Sequence, residues 1–210
     1  MIYTKVFRTL LLVGLTTSLT GCVSNLLPEP APAPKIYRFK AAASPVSPSA
    51  QAFLLRVDRP AVSKSLQGQN IVISPDGQRL AVVEQAKWAE PLPTMIQSSL
   101  LDVMSGREEL IGVLPTSGAR TDYRIHLTVR HFEAEFDRGE GLAPLVVIDY
   151  AATLSDATSR QLLGSKNFKE TLRASDYSVS AIVRAQENAN KGVMNNIADW
   201  IESVLKNKPS

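Results

Sequence analysis

The chain has 210 residues, one cysteine and a formal net charge of +3 from 23 basic against 20 acidic side chains. A lone cysteine excludes an internal disulfide framework and thiolate zinc sites, which need paired ligands. The small charge excess, with no Lys/Arg cluster interleaved with aromatics, excludes a nucleic-acid binder.

Residues 1–21 read as a secretory signal peptide: Lys5 and Arg8 precede an apolar run around Leu10 to Leu15, and small residues follow. The run is too short to span a bilayer, for which about 20 apolar residues are needed. Leu19-Thr20-Gly21-Cys22 has the form of a bacterial lipobox. Cys22 is therefore expected to carry a diacylglyceryl group on its thiol and, after cleavage, an acyl chain such as palmitate on its new amine. An ordinary signal peptide would instead leave an exposed, oxidisable thiol. One myristoyl chain holds a protein only marginally, at roughly 0.8 kcal/mol per buried methylene, whereas two or three chains make a stable anchor. Residue 23 is Val rather than the Asp that resembles an inner-membrane retention signal in enterobacterial lipoproteins. The expected location is the outer membrane, facing the periplasm. Removal of the leader takes Lys5 and Arg8 with it, and most of the basic excess disappears.

Residues 22–35 form the lipidated end and a tether. Prolines occupy every second position from Pro28 to Pro34, a pattern that neither pairs in a sheet nor continues a helix. At about 3.1 Å per residue, an extended segment of this kind reaches on the order of 35 to 40 Å.

A single domain is expected over 36–207. Ile36–Phe39 and Phe53–Val57 read as strands, separated by an Ala/Pro/Ser loop from Ala41 to Ala50. Asn70–Ile73 and Arg79–Val83 flank a Pro-Asp-Gly turn and predict a hairpin. Apolar spacing from Pro91 to Met104 predicts a helix ended by Gly106, and Leu110–Leu114 a short strand. Tyr123, Ile125, Leu127 and Val129 alternate with polar residues, but Phe132, Ala134 and Phe136 continue in the opposite phase. The slip predicts a bulge near His131. Strands at Val146–Leu154 and Leu162–Leu172 follow, and an amphipathic helix runs from Ser178 to about Leu205. The fold class is α+β: a mixed, mainly antiparallel sheet of about six strands with two main helices on one face.

Catalytic constellations are missing from this pattern. His126 and His131 occupy odd-versus-even strand positions with no ligand set around them, and Glu133 and Glu135 read as a solvated pair on one strand face. No Walker loop, dinucleotide fingerprint or nucleophile elbow occurs. The expectation is a protein that is not an enzyme and has no metal or cofactor besides the acyl chains on Cys22. Lys87-Trp88-Ala89-Glu90-Pro91-Leu92-Pro93 stands out, with a large aromatic ahead of a proline-flanked helix start. Trp88 is expected to cap the core where strand meets helix, and Trp88, Pro91 and Leu92 are the candidates for a partner contact.

Several of these features occur together in one known family. The lipobox, the proline tether, Ile36-Tyr37-Arg38, the Asn70-Ile71-Val72-Ile73 hairpin, Trp88-Ala89-Glu90-Pro91-Leu92, Asp122-Tyr123-Arg124-Ile125 and the closing helix resemble the ABC-type transport auxiliary lipoproteins, the PqiC-like family. The resemblance implies a non-catalytic partner of an MCE-domain protein and an inner-membrane permease with its ATPase, docking the periplasmic lipid-conducting tunnel at the outer membrane. It also implies a homo-oligomeric ring. The Ala/Pro/Ser loop after the first strand departs from the family pattern. Two rival readings remain on the residues alone: a lipid-binding periplasmic chaperone, and a structural assembly factor of an outer-membrane complex.

Overall fold

The computed structural model describes residues 32–40 and 44–208; the expected signal peptide, Cys22, the expected tether as far as Ala31 and the loop residues Ala41 to Ala43 lie outside them. One long strand organises the sheet. In chain order the elements are β1 (Lys35–Tyr37), β2 (Phe53–Val57), β3 (Asn70–Ser74), β4 (Ala81–Trp88), α1 (Leu92–Ser105), β5 (Leu110–Val113), β6 (Tyr123–Glu135), β7 (Leu145–Asp156), β8 (Leu162–Arg173) and α2 (Val179–Lys206). Along one edge of β6, β2 pairs with its first residues and β3 with its last. Between them, the chain at Asp58 and Ala61 continues the hydrogen bonding, Asp58 donating to the Ile125 carbonyl at 3.0 Å and Ala61 to that of Leu127 at 2.9 Å. The other edge of β6 is filled by β7, which in turn carries β8.

The sheet has eight strands, more than the six or so expected, because β1 and β5 are short parallel additions at its margins. Four pairings are parallel and short, whereas β6–β7 and β7–β8 are long antiparallel ladders. The mixed, mainly antiparallel α+β class therefore holds. The predicted phase slip is a register shift between Val129 and His131. It lets Ile125, Leu127 and Val129 share the inner face with Phe132 and Ala134, all of them buried.

Both helices lie against that inner face. Pro91 caps α1 and Pro93 sits in its first turn, where a missing N–H costs nothing; Gly106 follows its end, as the spacing predicts. α1 packs on β5 and β2, and α2 packs on β7 and β8. Ser178 opens α2, its side chain accepting from the Ala181 N–H at 3.3 Å. Ile96, Leu100, Met104, Ile182, Val193, Ile197 and Ile201 meet Leu55, Ile125, Leu127 and Ile148 in one core, each side chain contributing about 1.5–3 kcal/mol by leaving water. The described residues from Pro34 onward form one compact unit. No described helix is long and apolar enough to cross a membrane.

Candidate docking surface

The Trp88 segment is a structural joint. Trp88 and Leu92 are each 1 % exposed, and Trp88 stacks edge-on with Phe39 at 5.2 Å and Phe132 at 6.4 Å between ring centroids. Backbone bonds tie it on both sides: Trp88 N–H to the Gln69 carbonyl, Ala89 N–H to that of Tyr37, and Leu92 N–H to that of Gly68. The Gln69 amide donates in turn to the Ala89 carbonyl at 2.9 Å. The expected capping of the core by Trp88 is what the geometry displays. Neither Trp88 nor Leu92 presents a side chain outward; what the segment offers to solvent is Lys87, Ala89, Glu90 and half-buried Pro91.

Among the described residues, neither helix lies on the opposite face of the sheet. β6 exposes or half-exposes Arg124, His126, Thr128, Arg130 and His131 there, and β7 adds Asp149, Ala151, Thr153 and Ser155. Glu133 corrects the expectation of a solvated carboxylate pair, being only 6 % exposed. Past the bulge its carboxylate turns back, accepting from the Phe132 N–H at 2.6 Å and meeting His131 Nδ1 at 2.5 Å.

A further ionic cluster on this face is not singled out by the sequence pattern. Arg56 on β2 and Arg124 on β6 are register partners, two guanidiniums side by side on adjacent strands. Asp58, 8 % exposed, lies against both: its Oδ1 is 3.3 Å from Arg56 Nε, and its Oδ2 accepts from Arg124 Nε. In the sequence Asp58 reads only as the residue that stops a strand before Pro60. The cluster exists because β2 pairs in parallel with a strand far along the chain. A second ionic tie holds the inner side together, where Arg107 after α1 reaches Asp199 at 2.5 Å and Glu202 at 3.2 Å on α2. Burial opposes the charge of Arg107, and the two carboxylates outweigh it and hold its pKa up. Among the described residues, no group of three His, Cys, Asp or Glu side chains is placed to hold a metal ion.

A family model described as the ABC-type transport auxiliary lipoprotein component matches residues 37–198. The chain belongs to this family. As an ABC-type transport auxiliary lipoprotein it shares its fold with protein XCC0632 from Xanthomonas campestris, at 21 % identity and a TM-score of 0.70, covering 82 % of this chain and 97 % of that one. An uncharacterised protein of known structure aligns at 20 % identity and a TM-score of 0.65, over 81 % of this chain and 99 % of the other. The hypothetical protein CT253 from Chlamydia trachomatis aligns at 8 % identity and 0.50, over 74 % and 99 %. No curated protein matches the chain. The family description assigns an auxiliary, lipoprotein role beside an ABC-type transporter.

Proposed function

We propose that this auxiliary lipoprotein is anchored in the outer membrane through acyl chains on Cys22 and docks the periplasmic tunnel of an MCE-type lipid transport system there. In this reading it has no catalytic role and binds no cofactor; the permease and its ATPase in the inner membrane supply the energy. The observation that carries the reading is the family match across nearly the whole folded unit. The sheet face that neither described helix covers supports it, since a polar strand face with mixed charges suits a wet, reversible contact. Membrane tethering raises the effective concentration of such a contact, and a ring of copies would multiply it.

The test is photo-crosslinking in cells from probes placed at Thr128 and Asn167. Adducts with an MCE-domain protein are expected. A reproducible lack of adducts, together with unaltered lipid trafficking after deletion of the gene, would overturn the proposal.

A further inference from the structure

We propose that Arg56 and Arg124 form a binding site for the phosphate group of an anionic phospholipid on the open sheet face, an inference that rests on the lipid-transport reading above. Strands in a sheet lie about 4.8 Å apart, and like charges directly opposite one another repel. This pair is held in place by a single carboxylate, Asp58, so the three groups retain one net positive charge. Arg124 donates its Nε–H to Asp58, while Arg56 Nε lies 3.3 Å from the same carboxylate as an ion pair without a hydrogen bond; neither Nη fork has a hydrogen-bond partner among the described residues. Their side chains are 38 % and 48 % exposed, so the forks are open to solvent.

A phosphodiester carries one negative charge and oxygens at the spacing that guanidinium forks match in paired hydrogen bonds. Bound across both forks, it would bring the cluster to neutrality. The neighbours favour an amphiphile over a free anion. Reading across the sheet, the register row is Val113, Arg56, Arg124, Ser155, Leu162, with Leu162 59 % exposed at one end and half-buried Val113 at the other. The cationic centre is thus flanked by apolar side chains where acyl chains leave the head group. The small Ser155 beside Arg124 keeps the approach open.

The experiment uses the full chain in a non-ionic detergent and three probes: dihexanoyl phosphatidylglycerol, dihexanoylglycerol and inorganic phosphate. Binding is read by calorimetry and by the Nε–H resonances of the arginines. Saturable binding of the phosphatidylglycerol is expected, about 10-fold weaker in Arg56→Gln and Arg124→Gln, and lost toward about 1 M salt, where screening lengths fall to about 3 Å. Arg124→Lys keeps the charge beside Asp58 but not the fork, and should fall between; it also serves as the readout if a Gln variant fails to fold. Equal affinity in wild type and Arg124→Lys or Arg124→Gln overturns the site. Equal binding of dihexanoylglycerol removes the phosphate from the recognition, and inorganic phosphate binding as tightly as the lipid overturns the lipid assignment. Crosslinks to an MCE protein without lipid binding would refute this inference and leave the docking proposal standing.

Discussion

The hydroxyl of Tyr150 on β7 donates to Asn190 Oδ1 on α2 at 2.7 Å, with neither residue more than 2 % exposed. Burial pushes the Tyr150 hydroxyl well above the ordinary tyrosine range, so it stays a neutral donor. This bond adds a directional contact between α2 and the sheet to the surrounding aliphatic packing. Removing either partner strands the other. Tyr150→Phe and Asn190→Leu are each expected to cost about 1–3 kcal/mol, and the double variant less than their sum. Urea unfolding of all four proteins measures the coupling; strict additivity would mean that the bond is not formed.

One turn earlier on the same helix, Gln186 is fully buried, and neither its Nε2 nor its Oε1 has a partner among the described residues. A buried amide left without partners costs about 1–3 kcal/mol. Gln186→Met is therefore expected to raise the unfolding midpoint. A lowered midpoint would show that the amide makes bonds of its own.

Trp88 offers a way to separate folding from docking. Trp88→Ala should cost about 3–5 kcal/mol by opening a cavity between Phe39 and Phe132. Glu90→Lys, at an exposed position on the same segment, should leave stability within about 0.5 kcal/mol. If the segment contacts a partner, Glu90→Lys weakens the crosslinks described above while the melting temperature stays put.

The turn after β7 makes stability depend on acid. Asp156 is held at a pKa of about 2, first by the Ser159 N–H and then by the Lys208 ammonium; their distances to its carboxylate are 2.9 and 3.2 Å. The folded value lies below the unfolded one near 4, so the stabilisation is complete above about pH 4 and is withdrawn as pH falls toward 2. Asp156→Asn should be less stable than wild type at pH 7, and the gap should narrow between pH 4 and pH 2. Denaturant midpoints across that range test it, and a gap independent of pH would exclude this carboxylate as the cause.

The sequence carried the local part of this architecture well. Alternation along Tyr123–Val129 and its opposite phase after Phe132 located both β6 and its bulge, because side-chain period is a property of each strand alone. The Trp88 joint was also readable, since an aromatic followed by two prolines has few places to go. Pairing was another matter. Nothing near Arg56 announces that it lies beside Arg124, and nothing near Glu133 announces that its carboxylate folds back onto Phe132 and His131. Those contacts depend on which strands meet, and parallel pairs such as β2–β6 leave no hairpin turn to mark them. For the same reason the short margins β1 and β5 read as strands locally but were easily undercounted in the assembled sheet.

The shared edge of β6 has a kinetic consequence. Its partners β2 and β3 lie roughly sixty to seventy residues upstream and pair with it in parallel, so those contacts close only after long loops have been brought together, a topology that slows folding toward the millisecond-to-second range. Until then the chain from Phe53 to Ser74 holds open strand edges. That interval is when the unpaired edges leave the chain most exposed to aggregation.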